Sequence, residues 1–183
     1  MTVKSKTKKS VPPAGTLYPN PPALISTLGK VGRANIFTAA WVSQICMTPP
    51  HIGLAIRPSR QSFRLIQESG EFAVNLPLAS QVKEVDICGN ISGRDSNKWE
   101  LTGFTKQKPS KIKAPLILEC PVSIECRVVN QIEVGTHVWF IAQVVARHEE
   151  KDFDPTKLLA YVSKDYMALG KEKLGSYGFS KTE

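Results

Sequence analysis

No window of this 183-residue chain approaches the roughly 18 consecutive apolar residues that a membrane-spanning helix requires. The N-terminus likewise lacks the apolar stretch of about 7 to 15 residues that follows the positive charges of a secretory signal. A soluble cytoplasmic protein with no membrane partner is the expectation. Cysteine is scarce and dispersed: Cys46, Cys88, Cys120 and Cys126 are separated by 42, 32 and 6 residues, so no CxxC pair is present to hold zinc or run dithiol exchange. Each lies in or beside an apolar run and is expected as a reduced core thiol. The three histidines, His51, His137 and His148, form no HExxH pair, and no G-x-S-x-G segment marks a hydrolase nucleophile. Neither G-x-G-x-x-G nor G-x-x-x-x-G-K-[ST] occurs, so a nucleotide, if bound, is held by something other than those glycine loops.

Acidic residues are also few. Sixteen Asp and Glu face 24 Lys and Arg, a net charge of +8. Lys4, Lys6, Lys8 and Lys9 supply four of those charges within the first ten residues, leaving +4 for the rest. Such an arm attracts polyanions, but Ser, Thr and Lys ahead of Pro12 and Pro13 equally describe a solvated terminus. Recognition of nucleic acid requires a basic face on the folded domain. A non-enzymatic nucleic-acid-binding barrel would also space aromatics among basic residues along a strand, whereas Trp41, Trp139 and Phe140 lie in apolar runs. Nucleic acid is therefore not the expected partner.

What remains is ordinary globular composition, 42% hydrophobic and 22% charged, enough for one buried core. Residues 1–22 end in Pro19, Pro21 and Pro22 and read as an extended, peripheral and partly disordered basic segment; the domain proper runs over 23–183. Ala23 to Leu28 and Ala34 to Cys46 are strand-like, joined by a five-residue loop containing Gly29 and Gly32, and His51 to Ile56 reads as a third strand. A helix is predicted from Gln61 to Ser69, stopped by Gly70, then a strand from Glu71 to Leu76 and a second helix from Leu78 that stops at Gly89. Val122, Ile124, Cys126 and Val128 alternate with Ser123, Glu125 and Arg127, the period of a half-buried strand. Thr136 to Arg147 is its long partner, apolar on both faces, and Leu158 to Val162 is expected to close the sheet. Six or so strands with short helical inserts point to a mostly β fold with short helices, an antiparallel barrel.

Two polar loops interrupt the apolar pattern. RPSRQS carries Arg57, Ser59, Arg60 and Ser62; SGRDSNK carries Ser92, Arg94 and Lys98. Arginine forks, hydroxyls, an ammonium and a helix starting near Gln61 or Asp95 are donors suited to a phosphate. Solvated surface turns, with Asp95 a simple helix cap, explain the same composition equally well. In NIFTAAWVS, Asn35, Thr38 and Ser43 interrupt an otherwise apolar strand, Trp41 offers a large flat ring and Ala39 and Ala40 are small, which suits the wall of a flavin pocket, though a strand aromatic is more often core.

Taken in order, NIFTAAW, PPHIGLAIRPSRQSFRLIQESGEFAVNLP, CGNISGRDSNKW and VGTHVWFIAQVV, the chain resembles the flavin reductase-like family, its flavoredoxin branch in particular, from about Pro21 to about Gly178. The resemblance implies a homodimer of six-stranded split β-barrels, each holding one FMN near the subunit interface. It implies that Asn35, Thr38, Ala40 and Trp41 contact the ring or ribityl chain, and that Arg57, Arg60, Ser62, Ser92, Arg94 and Lys98 are candidates for the phosphate. A phosphate monoester is satisfied by two or three such donors, so some of the six have structural jobs. The function implied is an FMN-dependent oxidoreductase in which NADH or NADPH reduces the flavin, which passes electrons to free flavin, ferric iron or another acceptor. The alternative is a flavoredoxin-type carrier reduced by a protein partner. No catalytic side chain is assigned, His137 included; the position before it is Thr136, where the family motif often has an acid.

Overall fold

The computed structural model describes residues 12–170, together with Lys8, Ser10 and Glu172; most of the lysine-rich arm lies outside the described residues. In chain order the elements are β1 (Ala23–Leu28), β2 (Ala34–Ala39), β3 (Val42–Met47), β4 (Pro50–Ile56), α1 (Gln61–Ser69), β5 (Glu71–Leu76), α2 (Val82–Asn90) and α3 (Lys98–Thr102). Next come the short β6 (Lys106–Gln107) and β7 (Leu116–Ile117), then β8 (Val122–Val134), β9 (His137–Glu149), β10 (Leu159–Val162) and β11 (Asp165–Ala168). Mostly β with short helices, the chain has the split-barrel fold.

Seven strands pair in the order β2-β1-β5-β8-β9-β4-β3, every neighbour antiparallel. The sheet has to curl. Its two edge strands, β2 and β3, are consecutive in the chain and separated only by Ala40 and Trp41. Three virtual bonds of about 3.8 Å cannot bridge a flat sheet of this width, since six strand spacings of about 4.8 Å come to about 29 Å. The chain passes from one edge to the other at this corner, and the barrel is split there. The sequence predicts one strand from Ala34 to Cys46; the structure corrects this to two, because Ala40 and Trp41 turn the corner, with the Trp41 carbonyl accepting from Ala55 N at 3.0 Å.

β1 and β2 form the expected hairpin, Ala23 opposite Ala39 and Leu28 opposite Ala34. The turn closes through Gly29 N to Arg33 O, 3.1 Å, and Gly32 sits at φ +77, a conformation that favours glycine. Gly70 ends α1 in the same left-handed region, its N–H on the Ile66 carbonyl, which is why the helix stops where the sequence places its end. β8 and β9 are longer than their alternating patterns, thirteen residues each, and two bulges between them add twist. β10 does not close the sheet as expected. It pairs with β11 in a separate ribbon turned by Ser163 at φ 61, and Tyr161 bonds back to Asn20 through both backbone groups at 2.9 Å.

The main core lies inside the curl, where Ile25, Leu54, Phe72, Phe140 and Ile66 of α1 are almost wholly buried. A second core lies outside it, with Leu24 and Ile36 under Val85, Cys88 and Trp99 from α2 and α3. β1 therefore contributes to both cores. Outward-facing Trp139 is not wholly spare apolar surface, because its indole lies across Gly53, where a Cβ would collide with it. Among the cysteines, Cys88, Cys120 and Cys126 are buried free thiols, as expected, while Cys46 is exposed on the edge strand β3 and is no core residue.

The loop between β6 and β7 is pinned by polar groups buried beneath it. Asn75 accepts from Ile117 N at 3.1 Å and from Ser123 Oγ at 2.7 Å, and donates to Leu24 O at 3.0 Å. Glu125, wholly buried, accepts from Ser110 N (2.7 Å), Ser110 Oγ (2.8 Å), Lys111 N (2.6 Å), Ile112 N (2.9 Å) and His148 Nε2 (2.7 Å). Burial alone would raise its pKa; the hydrogen bonds from Ser110, His148 and Lys111 outweigh burial and hold it down at about 2.

Candidate functional site

A cleft of about 520 Å3 opens at the split of the barrel, within the size range of small-molecule sites. All ten residues singled out in the sequence line it: Asn35, Thr38, Ala40 and Trp41 from the corner, Arg57, Arg60 and Ser62 from the β4–α1 turn, and Ser92, Arg94 and Lys98 from the α2–α3 segment. Elements far apart in sequence meet here because the curled sheet places the end of β4 beside the corner, while α2 packs on β2.

The cleft is electropositive. Arg57, Arg60, Arg94 and Lys98 line it, no Asp or Glu does, and among the described residues none of the four is in a salt bridge. The N-terminus of α1 joins them. Its cap position is Arg60, which offers no side-chain acceptor, and its first turn has no acid, so leading backbone N–H groups are left for another acceptor. Gly93 brings the second loop close: a Cβ there would collide with Asn35 Oδ1 and come within 2.8 Å of Gln61 Oε1. That Gln61 oxygen is buried without a hydrogen-bond partner, an acceptor waiting for a donor inside the cleft.

The six basic and hydroxyl candidates are not equivalent. Arg94 donates through Nη2 to the Ser59 carbonyl at 3.1 Å and so ties the two loops together. Lys98, only 4% exposed, donates from Nζ to the Cys88 carbonyl at 2.8 Å, satisfying an acceptor in the last turn of α2. Burial lowers its pKa, the charge of Arg60 pushes the same way, and Cys88 opposes them. The Cys88 thiol is itself pushed up by burial to about 11, which keeps it protonated and unreactive. α3, which carries Lys98, starts later than the Asp95 expectation: Asn97 caps it, accepting from Trp99 N at 3.3 Å. Thr38 donates to Val85 O at 2.5 Å, so its hydroxyl is engaged in holding α2 to the corner.

Apolar residues line the cleft as well. Phe37, Ala39, Ala40, Ala55 and Ile56 contribute walls. Trp41 is 53% exposed, which removes it from the core, and its ring lies 4.6 Å from that of His137. His137 Nδ1 is 2.9 Å from Thr136 Oγ1; its pKa is lowered by desolvation first and by the Arg57 charge second. Ser59, Gln61, His137 and Tyr161 also line the cleft, as do residues 88–91 at the end of α2. Gln61 and His137 fall inside quoted motifs without having been assigned there. Tyr161 carried no local signal, since only the return of β10 over the corner brings it in. Among the described residues no cluster of His, Cys, Asp or Glu fits a metal ion, and no helix is long and apolar enough to cross a membrane.

Comparison with known proteins agrees with this geometry. The flavoredoxin of Desulfovibrio vulgaris superposes with a TM-score of 0.84 at 28% identity, covering 97% of this chain and 100% of that one. The flavoredoxin from Methanosarcina acetivorans gives 0.84 and 28%, covering 97% of each chain. A ferric-chelate reductase (NAD(P)H) of Archaeoglobus fulgidus is 27% identical over 131 residues, 71% of this chain and 75% of its own length. The family model for the flavin reductase-like domain matches residues 15–170, which include the corner, both basic loops and the sheet that brings them together, and the chain accordingly belongs to the flavin reductase-like family.

Proposed function

We propose that the chain is an FMN-binding oxidoreductase whose cleft holds the flavin with its phosphate at the basic loops and its ring at the corner. The observation that carries this reading is the convergence of four cations and an uncapped nine-residue helix on one cleft with no acid in its lining. Uncompensated cations brought together cost free energy unless an anion shares the site, and a phosphate monoester of about −1.5 to −2 charge meets that need. Two or three of Arg57, Arg60, Arg94, Ser62 and Ser92 would hold the phosphate, while Lys98, buried on the Cys88 carbonyl, has a structural job. Asn35 and Gln61, whose amides meet above Gly93, are placed to bond the ribityl chain, and Ala40, Trp41 and the Thr38 backbone border the ring.

Bound there, the flavin supplies the hydride and electron transfer that this chain's own side chains do not provide. Trp41 and His137 shield one approach from water. Thr136 leaves His137 without an acidic neighbour in the motif, and no catalytic role is assigned to it. NADH or NADPH as donor is the reading favoured by the ferric-chelate reductase relative; reduction by a protein partner is the reading favoured by the two flavoredoxins. A homodimer is supported by two groups of exposed apolar residues: Trp41, Ile45 and Met47 at the corner and on β3, and Val129, Ile132 and Val134 on β8.

The test is the visible spectrum of the purified protein, followed by anaerobic addition of NADH and NADPH separately. A yellow protein bleached by one nucleotide is expected of a reductase. A yellow protein that neither bleaches is expected of a protein-reduced carrier, and a colourless protein that takes up no FMN contradicts both.

A further inference from the structure

Between Glu100 and Glu119 the chain contains no acid and four lysines, Lys106, Lys108, Lys111 and Lys113, all exposed. Exposed Arg127 on β8 joins them, its guanidinium on the Lys111 carbonyl. A run of lysines on a loose loop would be a solvated surface and nothing more. This loop is not loose. Glu125 takes the backbone N–H groups of Ser110, Lys111 and Ile112, and Glu71 takes that of Lys113 at 2.5 Å.

The neighbouring carboxylates are all turned onto N–H groups. Glu119 accepts from Thr105 N at 3.0 and 3.1 Å, and Glu100 from Asn97 Nδ2 at 2.6 Å, while Glu125 is wholly buried. The acids therefore fix the loop, and among the described residues none of these five cations is in a salt bridge. Lys106 is the member of the patch nearest the cleft: its Nζ lies 5.4 Å from the centre of the Trp99 ring, and Trp99 follows Lys98, which lines the cleft.

We infer that this clamped lysine loop is the docking surface for a small acidic electron-transfer protein. The inference rests on the flavin reading for the class of partner, because a rigid array of like charges beside a redox cleft steers and orients a partner of opposite charge. Charge complementarity selects an anionic partner, and an acidic protein is favoured over single-stranded nucleic acid because the patch holds no exposed aromatic on which a base would stack, Trp99 being buried beneath Lys106.

The experiment measures binding of a small acidic iron–sulfur ferredoxin to the full chain by titration calorimetry, at about 20 mM and about 300 mM salt. Wild type is compared with Lys108→Glu/Lys111→Glu, with the neutral Lys108→Gln/Lys111→Gln, and with Lys30→Glu/Lys83→Glu, which changes net charge equally on other exposed surfaces. Expected are salt-sensitive binding to wild type, a loss of at least about tenfold in the loop reversal at low salt, a smaller loss in the neutral variant, and less than about threefold in the control pair. No binding to wild type, equal losses in loop and control reversals, or displacement of the ferredoxin by a single-stranded oligonucleotide that binds more tightly through the same lysines would each overturn the inference. The readout does not need the cofactor. A protein that takes up no flavin yet binds through the loop contradicts the proposed function alone, and a yellow protein indifferent to the ferredoxin contradicts the docking surface alone.

Discussion

Replacing Glu125 with alanine is expected to lower the free energy of unfolding by about 3 to 5 kcal/mol, a large share of the about 5 to 15 kcal/mol that stabilises a typical domain. The carboxylate is wholly buried and receives five hydrogen bonds, three from backbone N–H groups, one from Ser110 Oγ and one from His148. Alanine leaves those donors without an acceptor beneath a loop that would have to open to reach water. Denaturant melts of the variant and of Glu125→Gln measure the effect; the amide keeps one acceptor oxygen and is expected to recover part of the loss.

The same carboxylate gives stability a pH dependence of definite sign. Its folded pKa is held at about 2, below the ordinary value of about 4.3 expected in the unfolded chain. Between those values the unfolded state binds more protons than the native state, so stability rises with pH. The contribution is fully present above about pH 5 and is lost as pH falls towards 2. Wild type should therefore lose stability more steeply than Glu125→Gln across that window, and parallel curves would contradict the clamp.

Substituting Arg94 by alanine is expected to weaken FMN binding about tenfold to hundredfold, the equivalent of about 1.5 to 3 kcal/mol for a charge-assisted contact. Two effects combine. The cleft loses one of four cations, and the β4–α1 turn loses the bond from Arg94 to Ser59 O that aligns the two loops. Arg94→Lys keeps the charge but not the planar fork, and is expected to lie between the two. Flavin fluorescence titrations of stripped protein give the ratio; an Arg94→Ala protein that binds FMN as tightly as wild type would assign the phosphate to other donors.

The cleft was legible in sequence as residue types in ordered motifs, and its three-dimensional convergence was not. RPSRQS and SGRDSNK announce donors, but nothing in them says that Arg94 bonds a carbonyl in the other loop or that Lys98 is buried on the end of α2. α3 is only five residues long and shows too little periodicity to reveal that its lysine faces inward. The corner at Ala40 and Trp41 was hidden for the opposite reason: NIFTAAWVS has no glycine or proline to mark a break, and the bend follows from closing a curled sheet. The turn at Ser163 and Lys164 lacks the usual Gly or Asn, so β11 and the path of Tyr161 into the cleft were not apparent. The first half of β8 was plain as a strand from its strict alternation, but the face expected to meet solvent is covered by the β6–β7 loop, which buries Ser123 and Glu125.

The most direct measurement compares FMN with riboflavin, which lacks the phosphate, in calorimetric titrations of flavin-stripped protein at fixed salt. If the cations of the cleft anchor the phosphate, FMN binds at stoichiometry one and about a hundredfold or more tighter than riboflavin, at about 1.4 kcal/mol per factor of ten. Equal affinities for the two, or saturable binding of neither, would contradict it.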